Sequence, residues 1–125
     1  MFHGTGGYGD GEQRRDFVYV RDLCRMNLFF AGIGSETDRT RMGTVRPAHR
    51  GIFNAGTGAS RTFNDVARAL MQVHGKSEIE YIPFPADLES RYQHFTEADP
   101  TALRNSGYST PFTPLEAGIA ETFAS

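Results

Sequence analysis

The strongest helical pattern in the sequence lies between residues 62 and 75. Apolar side chains recur there every three or four positions and would share one helix face: Phe63, Val66, Ala67, Leu70 and Met71. Thr62 precedes this stripe and Asp65 follows it three positions later, which is the spacing of a capping box. Because His74 and Gly75 close the pattern, the sequence predicts an amphipathic helix between Thr62 and Gly75.

A second helical pattern precedes this one. Asp22 is positioned to cap it, and the helix is expected to end near Gly32 or Gly34. Its apolar face would carry Leu23, Met26 and Phe30.

Two shorter helices, and one segment that suits either a turn or a short helix, are expected in the C-terminal part. Residues 85–92 suit a turn or short helix, and residues 100–105 suit a short helix closed by Gly107. Residues 113–116, Thr-Pro-Leu-Glu, combine an N-cap with a proline at the first helical position, so a final helix is expected toward the C-terminus. Its inner face would carry Leu115, Ile119, Thr122 and Phe123.

Strand patterns are few and short. Residues 16–22, 51–56 and 78–84 each predict a strand from their aromatic and β-branched content or partial alternation. Residues 34–50 lack periodicity, hold four arginines and two acids, and are expected to form an exposed loop insertion. The predicted fold class is α/β, a mixed unit of about three short strands and four helices.

Composition and charge narrow the class of protein. The 125 residues suit one domain, and 38% of them are hydrophobic, which excludes a wholly disordered chain. A net charge of −2 gives no electrostatic argument for nucleic acid or an anionic membrane as partner. Cys24 is the only cysteine, and no apolar run is long enough to span a bilayer. A protein of the cytoplasm is therefore expected.

The first eleven residues contain five glycines, and Gly4, Gly6 and Gly9 have the spacing of the dinucleotide-binding fingerprint. That motif requires a strand before it and a helix that opens at its third glycine, so that backbone amides face a pyrophosphate. Only three residues precede Gly4, and residues 10–16 show no helical stripe. The stretch is therefore predicted to be a loop.

A catalytic set is not visible in the sequence. Reductase-type catalysis pairs a tyrosine with a lysine four residues later, and Lys76, the only lysine, has no tyrosine at that spacing. The four histidines lack metal-ligand spacing, and Cys24 is interpreted as a packing residue. We therefore expect no catalytic residue and no metal ligand in this chain.

Binding chemistry is better represented. Arg14 and Arg15 follow the glycine-rich loop, where guanidinium groups and backbone amides suit a phosphate group, although solvated surface arginines remain an alternative. Residues 91–93, Arg-Tyr-Gln, offer a charge, an aromatic face and an amide in a row. For Tyr92, both packing and ligand contact remain open.

Several motifs resemble a known family. Residues 15–22, Arg-Asp-Phe-Val-Tyr-Val-Arg-Asp, and residues 51–58, Gly-Ile-Phe-Asn-Ala-Gly-Thr-Gly, are similar to the C-terminal part of extended short-chain dehydrogenase-type nucleotide-sugar enzymes. Residues 80–88 (Glu-Tyr-Ile-Pro-Phe-Pro-x-x-Leu) and 91–99 (Arg-Tyr-Gln-x-Phe-Thr-x-Ala-Asp), where x marks a position outside the motif, resemble, more narrowly, the ADP-glycero-manno-heptose 6-epimerase family. The likeness covers nearly the whole chain, and the long segment 34–50 is its main departure.

The resemblance implies that residues 1–125 form the C-terminal substrate-binding lobe of a Rossmann-type enzyme whose dinucleotide-binding domain lies outside this chain. It implies NADP as the cofactor, bound mainly by that other domain, and inversion of the heptose C6 by hydride removal and return in lipopolysaccharide core biosynthesis. It also implies homo-oligomers, and a lobe that is inactive alone. By position, the residues implied to contact the ADP-sugar substrate are Phe2, His3, Gly4, Thr5, Arg15 and Tyr92. Alternatives are a lobe of another nucleotide-sugar epimerase or dehydratase, and a non-catalytic binding module.

Overall fold

Within residues 1–33 and 50–124, which the computed structural model describes, five helices accompany one two-stranded sheet. Along the chain, these elements are β1 (Arg14–Arg15), α1 (Val20–Phe30), β2 (Arg61–Thr62), α2 (Phe63–His74), α3 (Ala86–Glu89), α4 (Thr101–Asn105) and α5 (Leu115–Phe123). The two strands are antiparallel, with Arg14 opposite Thr62. The mixed α/β class is thus confirmed, whereas the predicted loop insertion lies outside the described residues except for Arg50.

Helix α2 forms as its sequence predicts. The Thr62 hydroxyl accepts a hydrogen bond from the Asp65 amide at 3.0 Å, and the Asp65 carboxylate accepts one from the Thr62 amide at 3.1 Å. The helix ends at His74, and Gly75 follows with a φ of +87°. Helix α2 packs against α5, where the rings of His74 and Phe123 meet at 4.8 Å.

The predicted caps of α1 and α5 are wrong, for one shared reason. Helix α1 begins three residues earlier than expected, after Tyr19, so Asp22 lies inside its first turn and is fully buried. The Asp22 carboxylate accepts hydrogen bonds from the Thr113 amide (2.7 Å) and hydroxyl (3.0 Å). Because this contact uses the Thr113 side chain, Thr113 does not cap α5, which begins after Pro114.

The strand predictions are also wrong in extent. Strand β1 ends at Arg15, and α1 begins at Val20. The next residue after β1, Asp16, does not extend the strand pairing, and its side chain instead binds the Thr57 and Ala98 amides of two distant loops. Residues 51–56 form no strand, and Ile52 is 97% exposed, so this apolar run lacks a neighbouring strand among the described residues. Residues 78–84 contribute one isolated bridge, between Ile82 and Phe2.

The buried core lies between α1 and α4. Leu103 is 0% exposed and packs with Met26 and Tyr108. The partly buried side chains around these three are Leu23, Phe29, Phe30 and Phe112. The predicted apolar face of α1 is therefore confirmed, as is the short helix α4, which is followed by Gly107 with a φ of +98°. No helix in the described ranges is long and apolar enough to cross a membrane.

Candidate functional site

Asp16 fixes the end of β1 to two loops. Its carboxylate accepts hydrogen bonds from the Thr57 amide and the Gly58 amide, both at 2.9 Å, and from the Ala98 amide at 3.1 Å. Partial burial raises the pKa of Asp16, but the hydrogen bonds from Thr57, Ala98 and Gly58 outweigh burial and hold this pKa below its usual value. A Cβ at Gly56 would overlap the Ala98 side chain, so the backbone approach here requires glycine.

A pH-dependent contribution to stability follows from Asp16. Because its folded-state pKa lies below the unfolded value, its contribution is present above the unfolded pKa and is lost as the pH falls through the folded pKa. We expect Asp16→Asn to lower the free energy of unfolding by about 2 kcal/mol at neutral pH, since an amide cannot accept all these hydrogen bonds. Urea unfolding at neutral pH and near pH 3 measures this effect.

At the acid pH, the variant and the unchanged chain should differ by clearly less. Asp87→Asn serves as the control, because Asp87 is an exposed acid on α3. An equal loss for Asp16→Asn at both pH values would contradict the assignment.

The glycine-rich start of the chain is a loop, as predicted. Gly6 and Gly7 adopt left-handed backbone conformations, with φ of +63° and +84°. Gly9 is followed by a turn and then by β1, so no helix opens at the third glycine. The described residues therefore do not form the strand–turn–helix cradle that binds the pyrophosphate of a nicotinamide dinucleotide.

Three of the six predicted substrate residues lie in this loop and are held by hydrogen bonds or ion pairs. His3 Nδ1 lies 3.1 Å from Asp10 Oδ2, and the Gly4 amide donates to Asp10 Oδ1 at 2.7 Å. Thr5 is buried, and its hydroxyl donates to Glu89 Oε1 on α3 at 2.6 Å. The loop is therefore fastened both within itself and to α3.

The other three predicted residues meet on one side of this loop. The Arg15 guanidinium lies over the Tyr92 ring, 4.9 Å from its centroid. The rings of Phe2 and Tyr92 both contact Phe84, at 5.0 and 4.9 Å. A cavity of about 220 Å³ lies here, lined by Met1, Phe2, Gly11, Gln13, Phe63 and Tyr92.

The two neighbouring arginines have different roles. Arg14 donates from Nε to the Ser60 hydroxyl at 3.1 Å and from Nη2 to the Ser60 carbonyl at 2.5 Å, so its guanidinium joins β1 to the residue before β2. Arg15 donates from Nη1 to the Arg14 carbonyl at 2.8 Å and covers Tyr92. Between the two, Arg15 is the one positioned beside the cavity.

Sequence reasoning missed the residues that support this site. His94 contacts the Tyr92 ring edge-on at 5.4 Å and stacks with Tyr8 at 6.0 Å, which connects Tyr92 to the glycine-rich loop. Asp10 and Glu89 hold the loop through the contacts given above. None of these residues belongs to a periodic pattern or a spacing motif, so only the spatial arrangement identifies them.

The residues around the cavity are mainly aromatic and apolar. Aromatic side chains line the cavity, and the Arg15 guanidinium lies against one of them, Tyr92. An apolar cavity with a cation beside it suits a ligand that has both a flat or apolar part and a negative charge. Among residues 1–33 and 50–124, no group of three His, Cys, Asp or Glu side chains is arranged to hold a metal ion.

Comparison with known proteins shows similarity to one class of enzymes first. Residues 5–41 match the NAD dependent epimerase/dehydratase family. More narrowly, the chain is 44% identical over 119 residues to the ADP-L-glycero-D-manno-heptose-6-epimerase of Alkalilimnicola ehrlichii, which covers 95% of this chain. The chain spans about a third (33%) of the length of that relative. The resemblance drawn from the motifs is thereby confirmed.

Proposed function

We propose that this chain is the nucleotide-sugar-binding part of an ADP-glycero-manno-heptose 6-epimerase. The name of the relative that is 44% identical and the match to an epimerase family support this proposal. The activity would invert C6 of the heptose in lipopolysaccharide core biosynthesis, with NADP supplying hydride acceptance and return when bound. The proposed location is the cytoplasm, and the proposed assembly is a homo-oligomer.

The observation that carries the binding role is the stacking of Arg15 on Tyr92 beside the cavity. Ligand clefts commonly enclose about 300–1,000 Å³. The cavity here, at about 220 Å³, is smaller and suits one flat or apolar portion of a nucleotide sugar. Arg15 would neutralise the adjoining diphosphate, because its planar fork matches phosphate oxygens.

The chemical step is proposed to depend on residues outside this chain. A tyrosine activated by a lysine four positions later would move the proton during oxidation and reduction of C6, and the sequence does not contain that pair. The roles proposed for Phe2, His3, Gly4 and Thr5 are contacts along the ADP-sugar. Residues 1–125 would then act as a substrate lobe that orients the sugar.

Calorimetric titration of the chain with an ADP-sugar tests the binding role. We expect Arg15→Ala to weaken binding about tenfold or more, since a hydrogen bond to a charged group is worth about 1.5–3 kcal/mol. Arg21→Ala is the matched control, because Arg21 is an exposed arginine on α1 that pairs with Glu121. Equal affinities for the unchanged chain and Arg15→Ala would contradict the role of Arg15.

A parallel titration with UDP- and dTDP-sugars separates the alternatives. Preference for the ADP-sugar supports the proposed substrate class, whereas tighter binding of another nucleotide sugar would favour a related epimerase or dehydratase. Absence of binding for all three ligands would contradict the proposed binding role.

A further inference from the structure

The Asn64 side chain, in the first turn of α2, contacts two other segments of the chain. Its side chain is almost fully buried, with 6% of the residue exposed. The side-chain amide donates to the Asp10 carbonyl at 2.8 Å and also to the Glu12 carboxylate. Its Oδ1 accepts a hydrogen bond from the Tyr81 hydroxyl at 2.8 Å. One side chain therefore joins α2, the end of the glycine-rich loop and the segment around Tyr81.

The backbone of α2 strengthens the same junction. The first amides of a helix lack intrahelical partners. Here the Asn64 amide donates to the Gly11 carbonyl at 3.0 Å, and the Phe63 amide donates to the Gln13 carbonyl at 3.3 Å. A Cβ at Gly11 would overlap Asn64 Oδ1, and Gly11 has a φ of +67°, so glycine permits this close approach.

A series of contacts leads from Asn64 to His3 and Gly4, two of the proposed ligand-binding residues, and ends again at Asn64. The Tyr81 ring stacks with the His3 ring at 6.1 Å, and His3 pairs with the Asp10 carboxylate. The Asp10 carboxylate also accepts a hydrogen bond from the Gly4 amide, and the Asp10 backbone carbonyl accepts one from the Asn64 side chain. The contacts thus form a closed ring that fixes the orientation of His3 and Gly4.

An asparagine is the side chain that this position requires. Its amide donates to the loop through nitrogen and accepts from Tyr81 through oxygen. An aspartate would lack the donor and would place a second negative charge beside Glu12. An apolar side chain would leave the Asp10 carbonyl and the Tyr81 hydroxyl without this partner.

We propose that Asn64 is a positioning residue that sets the glycine-rich loop for nucleotide-sugar binding by orienting His3 and Gly4. The role in ligand binding rests on the function proposed above. The role in orienting the loop stands on the contacts of Asn64 alone.

Asn64→Ala tests this role through two readings. The first is the affinity for an ADP-sugar, which we expect to fall about tenfold, the equivalent of about one net hydrogen bond. The second is the pKa of Asp10 by NMR, which the Gly4 amide and His3 now hold below its usual value. In the variant, that pKa should rise toward its usual value, because a general loss of stability would not selectively move it while the chain remains folded.

Two further variants complete the experiment. Asn54→Ala is the control, since Asn54 is an exposed asparagine whose side chain contacts the Asp99 carbonyl, and both readings should stay unchanged. Tyr81→Phe removes only the hydroxyl that donates to Asn64, and we expect a smaller change in the same direction. If Asn64→Ala fails to fold, the pKa of Asp10 in the Tyr81→Phe variant tests the positioning role instead.

The outcomes separate the two proposals. An unchanged pKa of Asp10 in the folded Asn64→Ala chain, or in Tyr81→Phe if the first variant does not fold, would overturn the positioning role. A shifted pKa together with no ADP-sugar binding by the unchanged chain would support the orientation of the loop and contradict the proposed function. A shifted pKa and weakened binding support both.

Discussion

Replacing Leu103 by alanine is expected to lower the free energy of unfolding by about 3–4 kcal/mol. Leu103 is the most completely buried apolar side chain among the described residues, at 0% exposure, and it packs against Met26 and Tyr108. Removing its branched end loses transfer free energy and leaves a cavity, and buried leucine-to-alanine changes commonly cost about 2–5 kcal/mol. Urea unfolding followed by circular dichroism measures the change.

Leu88→Ala provides a control for the same chemical substitution. Leu88 lies on α3 and is 45% exposed. We expect its replacement to cost less than about 1 kcal/mol, because half of its surface already contacts water. Similar losses for the two variants would show that Leu103 is not the centre of the core.

Replacing Asp22 by alanine is expected to lower the free energy of unfolding by about 3 kcal/mol. Asp22 is 0% exposed, and its carboxylate accepts hydrogen bonds from the Thr113 amide, the Thr113 hydroxyl and the Arg25 guanidinium. Removing it leaves the Thr113 amide without its acceptor and breaks the link between α1 and the start of α5. A hydrogen bond to a charged group contributes about 1.5–3 kcal/mol, and a buried amide left without an acceptor costs about 1–3 kcal/mol.

Two variants show which part of this network matters. Asp22→Asn keeps one acceptor oxygen and should lose less than Asp22→Ala. Arg25→Ala removes the half-exposed partner of the ion pair and should cost less than Asp22→Ala, because both hydrogen bonds from Thr113 to the buried carboxylate remain. If Arg25→Ala costs as much as Asp22→Ala, the ion pair and not the contact with Thr113 would be the stabilising feature.

Elements set by neighbouring residues were predictable from the sequence. The capping box of α2 joins residues three positions apart, and the apolar face of α1 follows from periodicity alone. The cap of α1 was not predictable, because Asp22 bonds Thr113, which lies 91 positions away. The strand expected from residue 16 onward failed for a similar reason, since Asp16 binds Thr57 and Ala98.

In the candidate site, too, single residues could be proposed from the sequence, whereas their contacts with distant residues could not. The sequence offered Arg15 and Tyr92 as separate candidates for ligand contact, but their contact with each other depends on the fold that joins β1 to the segment after α3. Asn64 gave no signal, because an asparagine in the first turn of an amphipathic helix is unremarkable in sequence. Its role becomes visible only through its contacts with Asp10 and Tyr81.

An amide NMR titration of the 125-residue chain with an ADP-sugar tests the proposed binding site most directly. We expect saturable shifts at Thr5, Arg15 and Tyr92, which lie at the glycine-rich loop and its cavity, and unchanged shifts around Leu103 in the core. Saturable shifts confined to the region of Leu103, or no shifts anywhere at saturating ligand, would contradict a nucleotide-sugar site built on Arg15 and Tyr92.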